Sequence, residues 1–248
     1  MEPASDSLER LVPDRLDAAD ATGQATLDLH LERYRFAAAR LLGLGAVRVL
    51  DCACGVGYGS RLLADLCPGI EVLGVDLSET AVRYARERYA GARVDFRSGD
   101  ALSFQDAQGF DAVVSLETVE HVPDPGALLA HLAGLLRPGG QLVASVPTTP
   151  SVDLNPHHLH DFTEASFRAL LAARAPGLQE VDALHQAQPV SVLSVLRRNE
   201  TRMGDLRSDL PGYYARHPGA LLRRIGATLR YGFSNRYLTV AAIRPEPS

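Results

Sequence analysis

From Val47 to Val146 short apolar runs and amphipathic segments take turns along the chain, and this alternation restricts the fold more than any other feature. Val47–Leu50, Val72–Val75, Val94–Phe96, Phe110–Ser115 and Gln141–Val146 read as strands. Ser60–Leu66, a segment opened by Ser78 and Glu79 and running to Tyr89, and Pro125–Leu136 read as the helices between them. Continuous apolar runs suit strands buried on both faces. Strand and helix alternating at this pace give βαβ crossovers in a parallel sheet. Upstream, Leu27, Leu31, Tyr34, Ala38 and Leu41 recur at three- and four-residue steps, which predicts a helix over Gln24–Leu42 ended by Gly43 and Gly45. After Pro147 the rhythm breaks. Arg137–Gly140 reads as a turn and Thr148–Asp161 as a loop. Thr163 caps a helix over Glu164–Ala173, Leu178–His185 forms a sixth strand, Ala220–Tyr231 is helical and Arg236–Ile243 is the last strand. The expected division is a helical cap over residues 1–45, an α/β doubly wound core over 46–189 and 233–248, and an insertion over 190–232.

Composition removes several chemistries. All 25 basic side chains are arginine. Without lysine there is no Schiff-base or pyridoxal chemistry and no Walker-type phosphate loop. The net charge of −5 argues against nucleic acid as a partner. No apolar stretch approaches the roughly 20 residues that span a bilayer, and the acidic N-terminus lacks the apolar region of a signal peptide. Cys52, Cys54 and Cys67 form no disulfide framework and read as small buried residues. A reduced, cytoplasmic setting is expected.

Asp51-Cys52-Ala53-Cys54-Gly55-Val56-Gly57-Tyr58-Gly59-Ser60 lies between the first strand and its helix. Glycines there admit a ligand close to the backbone. The dinucleotide fingerprint needs glycine at position 60, where this chain has Ser60. Asp76 closes the second strand, where a carboxylate accepts from ribose hydroxyls. Asp100, after the third strand, can accept from an adenine amino group. Together they describe an adenosine site without a diphosphate cradle.

Val49–Gly57 resembles the first motif of the class I S-adenosylmethionine (SAM)-dependent methyltransferases, and Gly74-Val75-Asp76-Leu77-Ser78 resembles the second. Phe110–Ser115 and Leu135–Gly140 resemble the motifs of the fourth and fifth strands. The resemblance covers about residues 30–185 and the last strand. It implies a Rossmann-like, mainly parallel seven-stranded sheet with an antiparallel last strand. It also implies SAM as cofactor, held by Asp51, Cys54, Gly55, Gly57, Asp76, Leu77, Asp100 and Ala101. Ala53 departs from the glycine that many members carry. The N-terminal helix is expected to cover the cofactor, with Tyr34 or Arg33 reaching its methionine part.

Glu117, Glu120 and His121 follow the fourth strand at spacings i, i+3, i+4, which share one face if the turn is helical. Two carboxylates and an imidazole converging in a crevice need a cation or a hydrogen-bond network to join them. Glu-x-x-Glu-His followed by a later histidine resembles the metal site of small-RNA 3′-terminal 2′-O-methyltransferases, and the same five residues recur in ubiquinone-biosynthesis O-methyltransferases. That resemblance implies Glu117, Glu120, His121 and His158 as ligands, with His160 the alternative and His157 third. A metal-free acid–base role for these residues, His121 and His158 above all, and a purely structural role stay open. His157, His160 and Asp161 are candidates to line the acceptor pocket.

Nine arginines stand between residues 197 and 236, with Tyr213, Tyr214, Tyr231 and Phe233 among them. They suit either a clamp for a phosphate or carboxylate on the substrate or a solvated helical face. The expected activity is O-methylation of a hydroxylated small molecule such as a sugar or glycosylated natural product, with a divalent metal assisting. RNA-terminal 2′-O-methylation, N- or C-methylation of a secondary metabolite, and a catalytically idle SAM-binding domain are the alternatives. No membrane insertion is expected, and the chain is expected to be a monomer or homodimer.

Overall fold

The computed structural model describes residues 11–16, 20–189 and 207–246. Arg197, Arg198 and Arg202 of the arginine-rich insertion lie outside them, as does the start of the expected cap.

Helix α1 (Ala21–Leu44) leads into β1 (Arg48–Cys52), α2 (Tyr58–Leu66), β2 (Glu71–Asp76), α3 (Glu79–Tyr89), β3 (Val94–Ser98), β4 (Phe110–Leu116), α4 (Pro125–Gly134) and β5 (Leu136–Pro147). Then come α5 (Glu164–Arg174), β6 (Gln179–Pro189), α6 (Leu210–Arg216), α7 (Pro218–Tyr231) and β7 (Ser234–Ile243). The seven strands form one sheet in the order β3-β2-β1-β4-β5-β7-β6. Pairing is parallel from β3 to β5, and β7 runs antiparallel between β5 and β6. The mainly parallel sheet with an antiparallel last strand is as expected. The Arg137–Gly140 turn is not: those residues fall inside β5, where the register against β4 slips between Phe110 and Ala112.

Alternation along each strand feeds two cores. On one face Leu50, Val113 and Leu142 meet Leu128, Leu129 and Leu132 of α4 and Phe167 of α5. On the other Val49, Ala112 and Val114 meet Leu41 of α1, Leu63 of α2 and Val82 of α3. Helix starts follow local chemistry. Asp20, Ser78, Asp124 and Thr163 each accept a backbone N–H in the first turn of α1, α3, α4 and α5. The N-cap of α2 is Gly57, which offers no side-chain acceptor, so this helix start faces its loop uncapped.

The strand order reverses between β1 and β4, which opens a crevice at their carboxyl ends. The loops after β1, β2, β4 and β5 therefore share one rim. Among the described residues no helix is long and apolar enough to cross a membrane.

Candidate active site

The glycine loop after β1 is held from below. Asp76 is 5% exposed, and one carboxylate oxygen accepts from the Gly55 amide at 2.9 Å while the other accepts from the Ser78 amide at 2.9 Å. The Cys54 amide donates to the Val75 carbonyl, so loop and β2 are stitched at two points. Gly57 has φ +89°, and a Cβ there would lie 2.7 Å from Phe96 and Ala85. Gly55 also has positive φ, and open space lies beyond it. Ala53 takes φ 60° without being glycine, a left-handed conformation that costs an alanine about 1 kcal/mol. Cys54 turns its thiol into the core, and burial pushes that thiol well above its ordinary pKa. Its thiol is therefore turned away from the loop's open side. Cys52 and Cys67 are likewise buried and free.

Asp51 sits behind the loop, 1% exposed. It accepts from the Ser60 hydroxyl at 2.6 Å and the Tyr34 hydroxyl at 3.2 Å. Burial raises its pKa to about 7 against those two hydrogen bonds, and the Asp76 charge adds to the rise. Tyr34 packs its ring where a side chain at Gly59 would stand. It supports the loop from α1. Leu77 is 73% exposed on the crevice rim, and Asp100 turns one oxygen to the Leu102 amide. Arg33 is 1% exposed, stacks over Tyr237 and donates through Nε to Gln186. Its Nη1 has no hydrogen-bond partner among the described residues, and it lies 3.8 Å from the Glu117 carboxylate.

The turn after β4 is not helical, so the expected shared face does not form. Glu117 takes φ 51°, its amide and carboxylate both engage the Ser145 hydroxyl, and it stands apart from the other three candidates. Glu120, His121 and His158 do converge: one ligand atom from each lies within 4.8 Å of the others. Glu120 is fully buried, with Nε2 of His121 at 3.9 Å from its carboxylate. Nδ1 of His121 faces the His157 carbonyl at 3.3 Å, which puts the proton on Nδ1 and leaves the Nε2 lone pair. His158 packs edge-on against His121 with ring centroids 4.6 Å apart. The Ser151 hydroxyl engages its Nδ1 at 2.7 Å. Burial, with the charges of His121 and His157, lowers the His158 pKa to about 3. His160 is spent elsewhere, donating through Nε2 to the Val122 carbonyl, and His157 contributes its backbone.

The histidine loop is fixed at both ends. Asp161 accepts from the Ser151 and Val152 amides, and the Glu120 carbonyl accepts from the Leu159 amide. Asp153, 2% exposed, accepts from both Nε and Nη2 of Arg224 at 2.9 and 2.5 Å and from the Tyr214 hydroxyl at 2.6 Å. Arg207 donates to the Asp153 and Val152 carbonyls. Two arginines of the insertion thus anchor it to the histidine loop and are not available to clamp a substrate anion. Sequence reasoning missed Ser151, Asp153 and Ser145: each is a lone polar residue in a polar stretch, with no spacing to mark it.

The sequence profile of the family described as "Methyltransferase domain" matches residues 50–144. A ubiquinone biosynthesis O-methyltransferase from Xanthomonas axonopodis pv. citri is 40% identical over 131 residues, covering 51% of this chain and 54% of that one. Another, from Xanthomonas campestris pv. campestris, is 33% identical over 187 residues, covering 67% of this chain and 77% of that one. The match thus spans about half the length of the first relative. Among solved structures, the N-methyltransferase NodS from Bradyrhizobium japonicum in complex with S-adenosyl-L-homocysteine superposes with TM-score 0.60 at 18% identity. That superposition covers 97% of this chain and 96% of NodS, and it shows a shared fold. Fold, loop and relatives agree: the chain belongs to the class I S-adenosylmethionine-dependent methyltransferases.

Proposed function

We propose that this chain transfers a methyl group from SAM to a hydroxyl of a small molecule bearing vicinal hydroxyls, such as a sugar diol or a catechol, with a divalent cation held by Glu120, His121 and His158. The observation that carries the reading is the convergence of those three side chains on the same rim as the glycine loop. The donor set fits a cation. It offers one buried carboxylate and two imidazoles, and each imidazole is fixed in orientation by a partner on its other nitrogen. His158, with a pKa near 3, is a poor base at neutral pH and a competent neutral ligand. Glu120, His121 and His158 would hold such a cation, which would supply a lowered pKa to a hydroxyl chelated there.

The chain's own residues do the rest. Asp76 takes the ribose hydroxyls, Asp100 the adenine amino group, and Leu77 and Ala101 the adenine face. Arg33, whose buried Nη1 has no hydrogen-bond partner among the described residues, takes the methionine carboxylate. In-line transfer to an oxygen then depends on position more than on covalent chemistry. Nδ1 of His121 is held by the His157 carbonyl, so its Nε2 would serve the cation and the acceptor's proton would pass to solvent; without a cation that same Nε2 would be the base, in a protein that has no lysine. His157, His160 and Asp161 flank the acceptor's place. That two relatives carry the name O-methyltransferase supports oxygen as the atom modified.

The test is to treat the purified chain with EDTA, measure turnover on catechol and sugar-diol panels, and titrate Mn²⁺, Mg²⁺ and Zn²⁺ calorimetrically into wild type and Glu120→Gln. The proposal expects turnover lost on chelation and restored by one ion, and binding at one site that Glu120→Gln removes. Turnover indifferent to EDTA but abolished by His121→Ala would replace the cation with an acid–base histidine.

A further inference from the structure

Helix α7 is amphipathic with the wrong face out. A surface helix ordinarily buries its leucines and shows its charges. Here Leu221, Ile225 and Leu229 recur at four-residue steps with Leu222 beside them, and they are 37%, 46%, 84% and 69% exposed in turn. The side that packs inward carries Ala220, 5% exposed, and Arg224, which is tied to Asp153. Phe233, just past the helix, is 62% exposed. Four large aliphatic side chains in one solvent-facing stripe are a patch that calls for an occupant.

Charge identifies the occupant. Residues 210–231, which span α6 and α7, contain four arginines and no acidic residue in a chain of net charge −5. Arg224 turns inward to Asp153, Arg216 and Arg223 meet Asp209 and Asp161 from outside the two helices, and Arg230 stacks on Tyr231. A second copy pairing through the same stripe would bring arginine against arginine with no carboxylate on either helix to offset them. An anionic bilayer surface satisfies both halves, with the leucines at the acyl boundary and the exposed Arg216, Arg223 and Arg230 among lipid phosphates. The stripe also borders the site. Arg223 reaches Asp161 at 3.6 Å, at the end of the histidine loop, and Leu159 on that loop is 50% exposed.

We propose that α7 docks the protein on an anionic membrane surface, lying in the interface with its aliphatic stripe toward the acyl chains and the mouth of the histidine loop facing the lipid. The docking is independent of the methyl-transfer reading, because it is read by partition and not by turnover.

The test is flotation of the full chain with vesicles of phosphatidylcholine, or of equal parts phosphatidylcholine and phosphatidylglycerol. The expected result is flotation with the anionic vesicles only, weakened by high salt. Leu222→Gln with Leu229→Gln should lower the partition constant by about tenfold or more, and Arg230→Gln by a few-fold. SAM affinity of these variants should match wild type, since all three positions are exposed. Absence of flotation with anionic vesicles, equal flotation with neutral ones, or a double variant that floats as wild type would each overturn the proposal. A concentration-dependent doubling of mass that Leu222→Gln with Leu229→Gln abolishes would overturn it in favour of a second copy.

Discussion

Replacing Arg224 by leucine removes the cation from a carboxylate that has almost no water. Burial alone pushes the Asp153 carboxyl up, yet the Arg224 and Tyr214 hydrogen bonds hold it below its ordinary pKa. Asp153 accepts three charge-assisted bonds there, two from Arg224 and one from Tyr214. Removing one partner of such a pair typically costs about 3 kcal/mol, because the other charge stays buried and uncompensated. In a domain of this size that is roughly 6–12 °C in Tm. Asp153→Asn should cost less, and the double variant should recover most of the loss, giving a coupling of about 2 kcal/mol in a double-mutant cycle. The anchor also matters for chemistry. Arg224 donates to the Pro150 carbonyl and Arg207 to the Val152 carbonyl, on either side of Ser151, whose hydroxyl orients His158. A loop that shifts by about 1 Å can cost 10²-fold in kcat. Arg224→Leu should therefore lower kcat while SAM affinity, which the proposed function assigns to the loops after β1 and β2, stays within a few-fold. Thermal denaturation, SAM calorimetry and steady-state kinetics on the four proteins of the cycle read these outcomes. Additive single losses, or unchanged kcat in Arg224→Leu, would refute the coupling of insertion to histidine loop.

Two further outcomes follow from the glycine loop. Ala53 holds φ 60°, so Ala53→Gly should stabilise by up to about 1 kcal/mol in urea denaturation, less the entropy glycine loses on folding. The Asp51 pKa, raised by burial to about 7 from 3.8, lies above its unfolded value. Its contribution is fully present below pH 3.8 and is lost as pH rises through 7. That corresponds to roughly 4 kcal/mol across the window. Denaturation of the SAM-free protein at a series of pH values should show this fall in wild type and a flatter profile in Asp51→Asn.

The parts of the fold that follow from local pattern were legible in the sequence. The apolar runs of β1, β2 and β4 admit no reading but buried strands, and Ser78 and Thr163 cap α3 and α5 as their positions suggest. Asp76 could be placed at the end of β2 because the strand stops there. What could not be read depends on backbone twist or on distance. Spacing says nothing of the left-handed turn at Glu117 that takes its carboxylate from Glu120 toward Ser145. The Asp153–Arg224 pair joins residues 71 apart, and neither is distinctive alone. That Ala220–Tyr231 is helical could be read, but this does not say which way the helix turns its leucines.

The position of β7 has a consequence for synthesis. Among the described residues β6 has no sheet neighbour except β7, which is itself the strand paired to β5. Before Ser234–Ile243 is made, β5 therefore has one unpaired edge and β6 has both. The sheet closes by insertion of its latest-made strand between two earlier ones. The loop after β5, which leads to His158, meets β7 where the Thr148 amide donates to the Arg236 carbonyl and the Arg236 amide to the Thr149 hydroxyl, contacts that can form only once the last strand has been made.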